Sequence, residues 1–448
     1  MTQNWPISDH RSAEQLERDA AAVRAQVSKL VSPNGDAAAR RDSDAVVERI
    51  RRRQLAASGD QATPFILYHP ADGSGPVLCA DNRLVVDADA AQAARLGGLL
   101  SGYAAADRAG RNPRRRTRVF RGPAKGSFEA LRRDAKRLRD EHQIMAGVNA
   151  VVPLGYIVKC DSYPGPTVAP AAFAGGGGGE PVRVAIVDTG LTAAPRTDAW
   201  DTGVVRNGTD PVNVLAPMDR IDWFAGHGTF AAGIVRQIAP DCEVVVYRYT
   251  STDGLGTDEA AADMLIQAAD DAAGGRVIIN ASFGAPAVDG VPPLAMREAV
   301  RYITETYPKA LIVASAGNDG SDRPLYPAAF PGVKAVGALN SDLSAAAFSN
   351  HGSWVHCSAV GVGVVSTFVE GKLPPETGIG ADVDFPADSW ATWSGTSFSA
   401  PQISGAVAAL CGDDGALPPA AAFDQLVAGR PTLADYGTVV HLLPGTPV

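Results

Sequence analysis

The chain has 448 residues, 46% apolar and 20% charged, with 40 Lys and Arg against 49 Asp and Glu and a formal net charge of −9. That length predicts two or three domains rather than one, with enough apolar material for a sizeable core. No uninterrupted apolar run reaches the roughly 18 residues of a membrane crossing, so no membrane partner is expected.

Met1 to His10 lack the basic and apolar regions of an export leader, and the five cysteines (79, 160, 242, 357 and 411) are scattered singly. The expectation is a reducing, cytoplasmic setting with neither a disulfide framework nor a zinc site. The charge is uneven: residues 1–180 carry 26 Lys and Arg against 20 Asp and Glu, the remainder 14 against 29. A basic front half can therefore dock on an acidic back half.

Residues 12–31 read as a helix, with Ser12 and Gln15 in a capping-box pattern and Leu16, Ala20, Val23, Val27 and Leu30 recurring at steps of four and three. Ser32-Pro33-Asn34-Gly35 ends it. A second amphipathic helix is predicted over 43–56, with Val46, Val47, Ile50 and Leu55 inward and Arg51 to Arg53 outward. Residues 1–60 are thus expected to form a helical hairpin whose apolar stripe needs a partner.

Residues 61–160 alternate in type: strands at 64–69 and 83–86, a helix at 88–105 weakened by Gly97 and Gly98, and a strand at 118–121. A strong helix at 127–145, with Phe128, Leu131, Ala135, Leu138, His142 and Met145 on one face, leads to a closing strand at 150–159. The pattern predicts a small α+β domain. Eight basic residues lie from Arg108 to Lys125 (108, 111, 114, 115, 116, 118, 121 and 125). With no aromatic platform or base-reading motif beside them, a solvated face or one turned to the acidic half is favoured, and no nucleic acid is expected.

Residues 161–181 are rich in Pro, Ala and Gly, with glycines at every position from 175 to 179. They read as a flexible linker and a natural cleavage site. From 182 to 448, apolar runs at 182–187, 244–249, 276–280, 311–315 and 333–338 alternate with helices at 228–237, 258–272, 293–306 and 397–410. This predicts an α/β fold, a mostly parallel sheet covered by helices on both faces.

The chemistry concentrates in four stretches. Ser394-Gly395-Thr396-Ser397 feeds an Ala-rich helix, where unpaired backbone N–H groups and the helix dipole favour negative charge. Asp188-Thr189-Gly190 ends the first apolar strand, at the sheet edge where open α/β sheets place their sites. Gly226-His227-Gly228-Thr229 opens a helix with glycines that leave the imidazole uncrowded. Ala314-Ser315-Ala316-Gly317-Asn318 follows another strand. Singly, an N-cap serine, a turn aspartate or a packed histidine is the commoner role. Together, the order Asp…His…Ser is that of one Ser-His-Asp triad arrangement.

On these motifs, residues 182–412 resemble the catalytic domain of a subtilisin-like serine protease (the subtilase, or peptidase S8, family). The resemblance implies a serine endopeptidase acting on polypeptides through an acyl-enzyme: Ser397 as nucleophile, His227 as base, Asp188 orienting it, and Asn318 with the Ser397 N–H holding the oxyanion. It also implies that Ser282, Phe283 and Gly284 form one wall of the substrate cleft, Gly254, Leu255 and Gly256 the facing wall, and Ala316 and Gly317 part of the same cleft. Tyr326-Pro327 matches a dipeptide that is cis in the family.

Some features depart from it. The helix after His227 runs directly to the strand at 244, without the calcium-binding loop found in many members, so no metal or cofactor is expected. Phe230 stands where members often carry a second histidine. Residues 369–392 form an acidic, Pro-rich insertion bearing Glu370, Glu376, Asp382, Asp384 and Asp388. Segment 64–160 is expected to act as a pro-domain-like inhibitor or chaperone, or to recruit a partner. The competing readings are a catalytically silent scaffold binding a protein, and a carboxyl-proteinase relative with a Ser/Glu/Asp set, against which His227 and Asn318 speak.

Overall fold

A computed structural model describes residues 5–31, 37–59, 62–70, 76–87, 98–107, 111–123, 127–155, 163–170, 182–373, 383–412 and 417–448. The expected turn at 32–35, most of the expected helix at 88–105, Cys160, Glu376, Asp382 and the glycine run at 175–179 lie outside these residues. Among the described residues, no helix is long and apolar enough to cross a membrane.

The Val/Ile/Ala-rich runs assemble into a nine-stranded sheet. Arg183–Asp188 sits between Glu243–Arg248 and Val277–Ala281, in parallel with both. Ala310–Ser315, Val333–Leu339, Cys357–Val360 and Gly437–Val440 extend it in parallel on one side. Both faces are buried under helices, including His227–Ile238, Asp258–Asp270, Leu294–Thr306 and Ala400–Gly412, so the strands carry apolar side chains without alternation. Asp188 and Ser315 end their strands at the same edge, and Ser282 follows the last residue of its own.

The segment before residue 155 builds a second, antiparallel sheet. Val77–Asp87 pairs with Phe65–Tyr68, Thr117–Arg121 and Ala146–Pro153. The long strand starts well before the expected 83–86 because Asn82, at φ 53°, breaks the pairing register between Cys79 and Leu84 and so hides the alternation. The closing strand runs 146–153 rather than 150–159.

The Phe128–His142 helix, capped by Ser127 accepting from Ala130 N at 3.2 Å, buries Leu131, Ala135 and Leu138. Leu84, Val86 and Ala146 of the sheet, with Ile144 just ahead of its closing strand, pack in the cluster with Ala135 and Leu138. The sheet also packs on the Asp258–Asp270 and Leu294–Thr306 helices. Arg111, Arg115 and Arg118 of the basic run gather on Asp107, and Arg115 also reaches Asp263.

The two amino-terminal helices, Ala13–Val31 and Ala37–Ala56, both pack on the larger sheet's body. Val47 and Ile50 of the second join the main core, and Arg53 pairs with Asp222 at 2.7 Å and Asp253 at 3.1 Å. Within the segment 161–181, Gly165–Thr167 is a strand, antiparallel to Trp390–Trp393. A proline fits such an edge position because no ladder N–H is required of it.

Candidate active site

Asp188, wholly buried, leaves its strand with Oδ1 accepting from Thr189 N at 2.7 Å. His227 opens its helix, and its Nδ1 lies 2.9 and 2.8 Å from the two Asp188 oxygens. The approach depends on glycine: a Cβ on Gly228 would lie 2.4 Å from Gly190 O and 3.3 Å from Asp188 Cβ. Gly226, at φ 83°, turns the chain into the helix. The His227 ring is held by Phe398 and Trp393, with centroids 5.2 and 5.4 Å away.

Ser397 sits in a 3₁₀ turn, Thr396–Phe398, ahead of the Ala400–Gly412 helix, rather than at the expected start of a helix spanning 397–410. Its hydroxyl faces Ser282 O at 3.3 Å and Leu154 O at 3.4 Å. Asp188 and His227 are thus joined by hydrogen bonds, while the Ser397 hydroxyl is turned to backbone carbonyls. Asn318 Oδ1 accepts from Thr396 N and Thr396 Oγ1, both at 2.9 Å, and Thr396 Oγ1 accepts from Gly317 N at 3.1 Å. That pairing fixes the amide orientation, leaving Nδ2 as the donor end beside the loop that carries Ser397.

The two expected cleft walls flank a strand of the chain itself. Leu255–Thr257 pairs antiparallel with Ala146–Pro153, Gly256 opposite Val152, and Leu154 N donates to Gly254 O at 3.0 Å. From the other side, Gly284 N donates to Pro153 O at 3.3 Å. Tyr249 Oη donates to Val152 O at 3.1 Å, and burial with nearby Asp188 pushes that phenol well above its usual range. Phe283 and Leu255 are buried, Phe283 stacking near Tyr249 with centroids 4.4 Å apart. Ala316 is held by its N–H to Val336 O at 2.9 Å. Gly317, at φ 106°, permits Asn350 and Leu325 to close in: a Cβ there would lie 2.6 and 2.8 Å from them. The Tyr326–Pro327 bond is cis.

Sequence reasoning missed Asp210. Its Oδ2 accepts from Thr189 Oγ1 at 2.8 Å and Gly226 N at 2.7 Å, while Thr189 Oγ1 accepts from Gly228 N at 3.1 Å. It ties the Asp188 and His227 segments together, and burial pushes its carboxyl up to about 6. No motif marks an aspartate before Pro211 for this role. The His227–Ile238 helix runs uninterrupted, followed at Glu243 by the next strand.

Comparison with known proteins follows the same residues. A subtilase-family model matches residues 179–427. The chain is 32% identical over 240 residues to a thermophilic serine proteinase of Bacillus sp. (strain AK1), covering 51% of each chain. It is 29% identical over 249 residues to subtilisin BL of Lederbergia lenta, covering 54% of this chain and 80% of that one. It is 31% identical to an intracellular serine protease of Paenibacillus polymyxa, covering 52% of this chain and 67% of that one. The chain thus spans about half the length of the first of these relatives. A crystal structure of a cold-adapted subtilisin-like serine proteinase is 22% identical with a TM-score of 0.45, over 60% of this chain and 89% of that one. With more than half its length matched by the family model, the chain belongs to the subtilase family.

Proposed function

We propose that this chain is a serine endopeptidase in which Ser397 attacks a peptide carbonyl, His227 takes the Ser397 proton and Asp188 orients the imidazole. The observation that carries the reading is the segment from Val151 to Leu154, the end of the strand Ala146–Pro153 and the residue after it, lying between residues 254–256 and Gly284, with Leu154 O 3.4 Å from Ser397 Oγ. A cleft that adds a polypeptide as an extra strand suits substrates of varied sequence, since backbone groups do the binding.

In the reaction, the hydroxyl rotates from Ser282 O to the free imidazole nitrogen, a bond that tightens only when substrate is engaged. The Oγ–carbon bond forms as the proton passes to His227. Asn318 Nδ2 and Ser397 N–H take the developing oxyanion. The proton then goes to the leaving amine as the carbon–nitrogen bond breaks, and water hydrolyses the acyl-enzyme.

In this reading residues 62–155 act as a built-in inhibitor, since the strand that fills the cleft is their own. Self-cleavage falls directly after Leu154 or Gly155, where the chain passes Ser397, rather than in the glycine run. Cys79, Cys357 and Cys411 are buried free thiols, which suits a reducing compartment, and we place the chain in the cytoplasm. The test is a fluorophosphonate probe followed by mass spectrometry. An adduct on Ser397, absent from Ser397→Ala, supports the endopeptidase; absence of labelling in a chain whose cleft strand has been unseated leaves the silent scaffold.

A further inference from the structure

The amino-terminal arm, residues 5–31, packs behind the nucleophile rather than in front of the cleft. Its helix buries Val23 and Leu30 with Ala338, Ala346, Phe348 and Val362. In the middle of that face lies Gln26, 1% exposed. Gln26 Nε2 donates to Thr392 O at 3.0 Å and to Tyr163 O at 2.8 Å, and Oε1 accepts from Ser394 Oγ at 2.8 Å. Ser394 Oγ in turn accepts from Gly363 N at 3.0 Å, and Gly395 N donates to Gly361 O at 2.8 Å. The loop that delivers Ser397 is therefore held by side-chain hydrogen bonds from an element more than 350 positions upstream.

A second anchor repeats the connection. Arg11, its side chain wholly buried, donates to Asp19 Oδ2 at 2.8 Å and to Thr446 Oγ1 at 3.0 Å. Thr446 Oγ1 donates to Gly363 O at 3.1 Å, so both anchors converge on the loop that supports Ser394. Thr167 Oγ1 donates to Asp19 Oδ2 at 2.6 Å, from the far side of the proposed cut. Lifting the arm away would strand buried polar groups on both surfaces, which costs far more than the net worth of the bonds themselves.

We infer that Gln26 is a positioning residue for the nucleophile, and that the arm remains a working part of the enzyme after the strand at 151–155 has left the cleft. This rests on the proposed endopeptidase activity. The front half of the chain then has two opposite roles: residues 62–155 block the site and residues 5–31 sustain it. Misplacing a reacting group by about 1 Å costs up to ~10²-fold in rate, and a loop flanked by Gly395 has little stiffness of its own to prevent that.

The test uses the full chain carrying Leu154→Asp, which places a charge in the buried cleft position and unseats the strand. In that parent, Gln26→Leu and Gln26→Met keep volume and helix propensity while removing all three hydrogen bonds. Active sites are counted with a fluorophosphonate, and turnover of a short peptide substrate is expressed per titrated site. The expected result is a fall in kcat of about 10- to 100-fold with KM held within about twofold. Ser394→Ala should also lower kcat, and combining it with Gln26→Leu should cost less than the sum of the two losses, because both remove the Gln26–Ser394 hydrogen bond. Turnover per titrated site equal to the parent's in both Gln26 variants, or fully additive losses, overturns the inference alone. A parent that neither titrates nor turns over sinks the endopeptidase reading and this inference with it.

Discussion

Arg115 donates from Nε to Asp263 Oδ1 at 2.8 Å, with the arginine side chain wholly buried, and so joins the small amino-terminal sheet to the Asp258–Asp270 helix beside the cleft. Asn149 Nδ2 donates to Glu259 Oε2 on the same helix at 2.6 Å. These contacts, with the strand pairing at Leu255–Thr257, hold residues 146–154 where they fill the site.

Removing one member of a buried ion pair typically costs about 3–5 kcal/mol because the partner is left charged and dry. Arg115→Ala should therefore loosen the docked sheet and raise the rate of fluorophosphonate labelling of the full chain by tenfold or more. An unchanged labelling rate, with the variant folded, would show that this pair does not control access.

The docked amino-terminal segments respond to pH at two separate contacts, Arg115 with Asp263 and Arg53 of the Ala37–Ala56 helix with Asp253. Burial, opposed by Arg115 and reinforced by Glu259, pushes Asp263 up to about 6; burial, opposed by Arg53 and reinforced by Asp222, pushes Asp253 up to about 7. Both values lie above the ordinary carboxylate value of 3.8. The docked state therefore binds more protons than the undocked state between these limits. Its stability is greatest near pH 4, declines as pH rises to about 7, and is flat above that. Labelling of the full chain, corrected for the serine's own pH profile with the Leu154→Asp chain, should accelerate from pH 5 to pH 7.5. Slower labelling over that range would reverse the assigned linkage.

Gly228→Ala tests the close approach of the histidine helix to Asp188. A methyl group 2.4 Å from Gly190 O must push the helix start away. Overpacking of this kind costs about 1–3 kcal/mol. The expected outcome is a lower melting temperature together with kcat reduced by about 10²-fold, from misplacing the imidazole. Wild-type kcat would show that the His227 position tolerates the shift.

Asn318→Ala removes the amide beside the nucleophile and the acceptor for Thr396. Loss of one oxyanion donor costs about 10²–10³ in kcat. KM should change little, since the donor acts on charge that develops in the transition state. A rise in KM with kcat intact would reassign Asn318 to ground-state binding.

The main sheet was legible because strands buried on both faces, such as Val184–Val187 and Ile278–Ile279, read as unbroken apolar runs. Cys357–Val360, Val364–Thr367, Trp390–Trp393 and Gly437–Val440 were not, since each is four residues long and carries no period to detect. Asp188, His227, Ser397 and Asn318 stood out through the glycines and small residues around them. Gln26, Asp19 and Arg11 did not: the first two, on an isolated amphipathic helix, and Arg11, just ahead of it, look like solvent-facing residues, and only partners such as Thr446, Ser394 and Thr167 make them buried. The strand Ala146–Pro153 was visible in part as a strand, but its place between residues 254–256 and Gly284 is a tertiary fact that no local pattern encodes.

The most direct measurement is intact-mass and peptide mass spectrometry of the purified full chain, before and after fluorophosphonate treatment. The expected result is an amino-terminal fragment ending at Leu154 or Gly155 that co-purifies with the remainder, and a single covalent adduct on Ser397. A chain cut instead within residues 175–179, or one whose Ser397 stays unmodified after Leu154→Asp has opened the cleft, would contradict it.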